Sequence, residues 1–99
     1  MFVAIYRWKI KPGMELEFRR NWEEGTKLFR DQHGALGSRL HKSEDGMWAA
    51  YAQWPSREIY YRKRDLSDVH NSYLQKMRQC VDGETLVETY EVVSDLLQN

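Results

Sequence analysis

Five side chains in this sequence are placed to do chemistry on a small molecule: Tyr6, Trp8, His70, Tyr73 and Met77. His70 and Tyr73 stand one helical turn apart, so both can face one cavity, where an imidazole serves as acid, base or axial ligand near neutral pH. A buried phenol needs a partner, and a Tyr6 or Tyr73 hydroxyl aimed into a cavity donates to a carbonyl or an oxygen-derived species. Tyr6 and Trp8 share one face of an extended segment and can wall a flat apolar cavity that stacks an aromatic ring, with Met77 contributing from a helix. Each has a structural alternative. A histidine beside an apolar stripe can simply bond a carbonyl at the helix rim, and ordinary core packing is the better reading of Trp8, Trp22 and Trp54.

Other chemistries find no support. His33, His41 and His70 are far apart, Cys80 falls on a helix stripe, and Asp65, Asp68 and His70 form only a local cluster, so no metal site is expected. No phosphate loop, nucleophile elbow or dinucleotide fingerprint is present. Fifteen Lys and Arg balance fifteen Asp and Glu, so no global field draws the chain to nucleic acid or an anionic membrane. The run Arg57, Arg62, Lys63 and Arg64, interleaved with Tyr60 and Tyr61, reads as a solvated helix face. Arg7 and Arg39 lie on strands; they are solvated strand ends unless acidic partners such as Glu88 or Glu91 meet them across the sheet. Arg7 and Lys9 interrupt the best apolar run, so no membrane span is expected. The opening residues do not resemble a signal peptide, and a lone cysteine cannot close an intrachain disulfide; a reduced, cytoplasmic setting is the expectation.

The elements that must position these groups follow from periodicity. A length of 99 residues, 41% hydrophobic and 13% aromatic, suits one globular domain over 1–99. Residues 2 to 10 read as strand one, ended by Lys11-Pro12-Gly13. Phe18, Trp22, Gly25 and Phe29 recur at helical spacing between Met14 and about Gln32, stopped by Gly34. Ala35 to Lys42 and Met47 to Trp54 form two strands joined at Asp45-Gly46. Ser56 caps a helical segment with a break near Asp65, and beyond it Leu66, Val69, Tyr73, Met77 and Cys80 form a stripe flanked by His70, Leu74 and Val81. Glu84 to about Val93 is strand four, followed by a tail from Ser94 to Asn99.

The βαββαβ order predicts a ferredoxin-like α+β fold: a four-stranded antiparallel sheet with two helices on one face. Strand one carries Phe2, Ala4, Tyr6 and Trp8 on one side and Val3 and Ile5 on the other. Strand four is likewise apolar on both sides. Two helices cover only one face, so a homodimer through the open face is expected.

Strand one followed by Lys11-Pro12-Gly13 and a Glu-rich aromatic helix, then Tyr51-Ala52-Gln53-Trp54-Pro55-Ser56-Arg57-Glu58, resembles the antibiotic biosynthesis monooxygenase family from about Phe2 to Val93. The resemblance implies a dimeric α+β barrel with a pocket in each subunit between sheet and second helix. It implies oxidation of a small quinol or anthrone-like aromatic by oxygen with no cofactor, His70 and Tyr73 positioning or deprotonating it. A non-catalytic dimeric module that binds a small molecule is the alternative. Haem-degrading relatives use an Asn on strand one, a Trp early in helix two and a later His; Tyr6 stands at the Asn position, no Trp lies around Tyr60 to Lys63, and only His70 matches. RNA-recognition motifs share the element order, but Asp45-Gly46-Met47-Trp48-Ala49-Ala50-Tyr51 has an acid where they carry a basic residue.

Overall fold

The first strand, β1 (Phe2–Trp8), stops at the turn made by Lys11-Pro12-Gly13, where the Met14 N–H donates to the Lys11 carbonyl at 3.0 Å and Gly13 supplies the left-handed φ of 83°. The computed structural model describes residues 1–97, so the expected tail lies within them only as far as Leu97. Helix α1 (Glu15–Gln32) carries Glu15 and Glu17 in its first turn, where the helix dipole favours acids. Strands β2 (Gly37–Lys42) and β3 (Trp48–Trp54) follow. Their turn is held by Asp45, whose carboxylate accepts from the Met47 N–H at 3.1 Å and from the Ser43 hydroxyl.

The break expected near Asp65 divides the second helical region into α2 (Arg57–Tyr61) and α3 (Asp68–Gln79). Each has a serine cap: the Ser56 hydroxyl accepts from the Ile59 N–H at 3.2 Å, and the Ser67 hydroxyl from the His70 N–H at 3.1 Å. Strand β4 (Leu86–Glu91) is shorter than the sequence suggests. The strands form one antiparallel sheet in the order β2-β3-β1-β4, the arrangement expected of a split βαβ repeat.

Register sorts the side chains. Ala4 pairs with Ala52 and Thr89, and Tyr6 with Ala50 and Val87, so these residues share the helix-covered face with Phe2, Trp8 and Trp54. Trp8, Ile10, Phe18, Ala50, Cys80 and Val81 make the buried core, with Phe18 edge-on to Trp8 at 5.1 Å and to Trp48 at 5.9 Å. Backbone bonds from Lys11 N–H to Cys80 and from Asp82 N–H to Lys9 tie the end of α3 to the end of β1.

The apolar stripe of α3 faces inward as expected at Tyr73, Met77 and Cys80, and only its first turn departs from the phase that hydropathy suggests. Val69 is 60% exposed, whereas His70 is fully buried. The physical reason lies on α1, where Phe29 and His33 present rings to this position: His70 packs edge-on to Phe29 at 4.3 Å and lies 5.6 Å from His33. A planar imidazole fits between them, and the β-branched neighbour turns outward.

The opposite face of the sheet carries Val3, Ile5, Tyr51, Leu86 and Tyr90, and residues 92–97 run past Tyr51 on that side. Leu86, Tyr90, Val93, Leu96 and Leu97 are exposed. Within this face Arg7 donates to Glu88 at 2.6 Å, and Glu88 also accepts from the Tyr90 hydroxyl. The acidic partner considered for Arg7 is therefore present on the neighbouring strand, diagonal to it.

Candidate active site

Between the helix-covered face of the sheet and helices α1 and α3 lies a cavity of about 290 Å³. Its existence follows from side-chain size on β3. The strand presents Ala50 and Ala52 between Trp48 and Trp54, and the two small residues leave room that larger ones would fill. Tyr6 and Trp8 on β1, Trp22 and Phe29 on α1, and Leu74 and Met77 on α3 complete an aromatic and aliphatic wall. Arg78 and Thr85, both exposed, mark its mouth.

Tyr6 and Trp8 are stacked on the strand, with centroids 5.8 Å apart and planes 6° from parallel, because residues two apart project from the same face. The Tyr6 hydroxyl bonds the Tyr60 hydroxyl of α2 at 2.9 Å. Burial first, and then the bond to Tyr60, push the Tyr6 phenol far above its ordinary pKa, while the Arg64 charge opposes the shift. Tyr6 thus keeps its proton at neutral pH, and its hydroxyl is able to donate a hydrogen bond.

Arg64 is the feature of the wall that the sequence did not disclose. It follows Arg62 and Lys63, both exposed, yet itself is half-buried. The α2 helix ends at Tyr61 and the backbone turns extended at Arg62, which brings Arg64 back beneath the helix. Its guanidinium lies 4.7 Å from the centre of the Trp54 ring and 5.7 Å from that of Phe29. Its Nη1 donates to the carbonyls of Ile59 at 3.1 Å and Tyr60 at 2.8 Å.

Of the five residues singled out in the sequence, Tyr6, Trp8 and Met77 line the cavity; His70 and Tyr73 do not. His70 is sealed behind Phe29, and the Gly25 backbone is the one group near enough to its ring to act as a hydrogen-bond partner, outside good geometry. Burial first, then His33, lowers its pKa, with the Gly25 backbone opposing and Arg64 adding least, and this keeps it neutral. Tyr73 is half-buried where α3 crosses α1 at Gly25. The described wall holds no carboxylate and no imidazole. Among the described residues no group of three or more His, Cys, Asp or Glu could hold a metal ion.

Phe29, Trp22 and Trp54 also reach the wall. For Trp22 and Trp54 core packing was the expected role, and Trp54 is both buried and on the wall. The sequence signal that could have located the cavity is the Ala50, Ala52 pair on a strand otherwise bounded by tryptophans.

A sheet of this order, with the cavity between it and the long helices, agrees with a match to the family model for antibiotic biosynthesis monooxygenase over residues 1–70. The chain belongs to that family. The match runs from β1 through α2 to His70. Solved structures carry the same fold through to the C-terminal strand. A candidate antibiotic biosynthesis monooxygenase of Bordetella bronchiseptica superposes with a TM-score of 0.78 at 18% identity, covering 94% of this chain and 97% of its own. SnoaB, a cofactor-independent oxygenase from Streptomyces nogalater, superposes with a TM-score of 0.77 at 14% identity, over 98% and 97% of the two chains. Rv0793 from Mycobacterium tuberculosis gives 0.77 at 16% identity, over 97% and 98%. No curated protein sequence matches significantly. Among the described residues, no helix of this monooxygenase-family chain is long and apolar enough to cross a membrane.

Proposed function

We propose that the chain is a cofactor-independent monooxygenase whose cavity takes a small, flat, electron-rich aromatic of quinol or anthrone type. One observation carries the reading: a cavity of about 290 Å³ walled by stacked Tyr6 and Trp8, with the protonated Tyr6 hydroxyl tied to Tyr60. The size is near the lower end for ligand cavities, suiting a compact ring system. The cofactor-independent chemistry of SnoaB supports the proposal, as does family membership.

For an anthrone-type substrate, one ring methylene and one O2 give one ketone and one water: the carbon exchanges both hydrogens for one oxygen atom, and the other oxygen leaves with them. The methylene carbon first loses a proton, and its carbanion, delocalised onto the substrate carbonyl oxygen, passes one electron to O2. The radical pair joins in a C–O bond, the resulting peroxide takes up a proton, and water leaves as the second C–H proton departs. Tyr6 contributes a hydrogen bond to the substrate oxygen on which charge develops once its hydroxyl turns from Tyr60 into the cavity, Tyr60 then donating to the Tyr6 oxygen in its place. With no base on the described wall, water at the mouth accepts the first proton. His70, behind Phe29, and Tyr73, beside Gly25, hold the wall in place.

In the same reading the protein works as a homodimer closed through the exposed apolar sheet face, in the reducing cytoplasm that its free Cys80 suits. The absence of a base from the described wall favours one alternative, a small-molecule-binding module without turnover. Haem fits poorly, because neither His33 nor His70 reaches the wall to serve as an axial ligand. Oxygen uptake by the metal-free protein with anthrones and quinols tests the proposal. Uptake with one class, reduced about a hundredfold in Tyr6→Phe, is the expected result; ligand binding without any uptake supports the binding module instead.

A further inference from the structure

We infer that Arg64 sets the specificity of the cavity, and that the preferred occupant is an aromatic anion, a ring bearing an ionised oxygen as phenolate or carboxylate. The inference rests on the proposed function only in taking this cavity as the ligand site.

The guanidinium is fixed on two sides. The Trp54 and Phe29 rings lie 4.7 and 5.7 Å from it, and both of its hydrogen bonds leave from Nη1, to the last carbonyls of α2. Arginine has five N–H donors in a planar fork, so those on Nε and Nη2 remain for water or a ligand. No carboxylate among the described residues forms an ion pair with it. Among these residues no counter-ion sits on this half-buried cation, and an anionic oxygen in the cavity would pair with it through charge-assisted hydrogen bonds. Among the described residues no carboxylate lines the cavity, and Asp65, next to Arg64 in the chain, is exposed. Tyr6 faces the anion from β1 with Tyr60 behind, Arg78 stands at the mouth on α3, and α1 presents the uncharged Trp22, Thr26 and Phe29. His33 and His70 lie behind Phe29.

Three probes of nearly equal shape separate the contributions: 4-nitrophenol, 4-nitrobenzoate and 4-nitroanisole. Binding is read as quenching of the tryptophans on the wall, and the ionisation of bound nitrophenol by its absorbance. In the wild-type protein at mildly alkaline pH, the anions are expected to bind about tenfold or more tightly than nitroanisole, with bound nitrophenol ionising about one pH unit below the free compound. Preference for nitrophenol alone assigns the site to phenolates, and preference for nitrobenzoate alone assigns it to carboxylates. Arg64→Gln is expected to abolish the preference while nitroanisole binding persists. Because the wild-type comparison needs no variant, a poorly folded Arg64→Gln protein does not decide the matter. Equal affinity for all three probes, or no binding of any, overturns the inference. Anion-selective binding without oxygen uptake from any substrate would leave it standing and remove the proposed turnover.

Discussion

At the scale of single residues, burial holds Tyr6 and His70 in their neutral forms and gives them different work. Tyr6 keeps its proton and faces the cavity; His70 loses access to one and fills space behind Phe29. That Tyr6, Trp8 and Met77 line the cavity was legible in the sequence because strand and helix periodicities are local properties. The sequence did not place Arg64, because Arg62, Lys63 and Arg64 are chemically alike and only the turn after Tyr61 selects which one points inward. The lowered His70 pKa has a consequence for stability. A histidine whose folded pKa lies below its unfolded value of about 6.5 leaves the unfolded chain binding more protons as pH falls. Stability is therefore complete above the unfolded value, declines as pH drops through it, and stops declining below the lowered folded value. Thermal denaturation followed by circular dichroism between about pH 7.5 and pH 5 should show the slope in the wild-type protein and a shallower one in His70→Phe. An unchanged slope in the variant would assign the effect to other groups.

At the scale of elements, the contact of α1 with α3 sets the cavity's outer limit. Gly25 is buried there, and a Cβ at this position would come within 3.1 Å of Leu74 Cδ2, an atom on a side chain that lines the cavity. Leu74 can yield into that space. We expect Gly25→Ala to be nearly neutral, its helix propensity gain of about 1 kcal/mol offset by crowding, while Gly25→Val destabilises by about 1–3 kcal/mol. Urea midpoints measure both. The caps at Ser56, the Asp45-Gly46 turn and the stop at Gly34 were legible because a turn or cap is specified by the residues that make it. The first turn of α3 was not, since His70 is drawn inward by Phe29 of α1 and by His33 at its C-cap, and no local pattern carries that information.

At the scale of the molecule, the two faces of the sheet divide the labour. The helix-covered face holds the cavity, while the other exposes Leu86 and Tyr90 beside Ile5, with the tail to Leu97 alongside. An apolar surface of this kind is the expected site of association. Sedimentation equilibrium should give twice the chain mass, and Ile5→Asp, which sets an unpaired acid in the centre of that face, should give the monomer. A wild-type monomer would contradict the dimer and leave the cavity account untouched. The sheet order was legible from the sequence of elements, whereas the cavity depended on how two alanines meet two tryptophans across β3. The proposed function stands or falls with oxygenation of an aromatic in this cavity. Oxygen uptake by the metal-free protein with an anthrone decides it most directly, measured beside Ala52→Phe, whose ring would occupy the space that Ala52 leaves open. One O2 should be consumed for each ketone formed, with turnover lost in the folded variant. Uptake that persists with the cavity filled would place the chemistry elsewhere and contradict the proposed function.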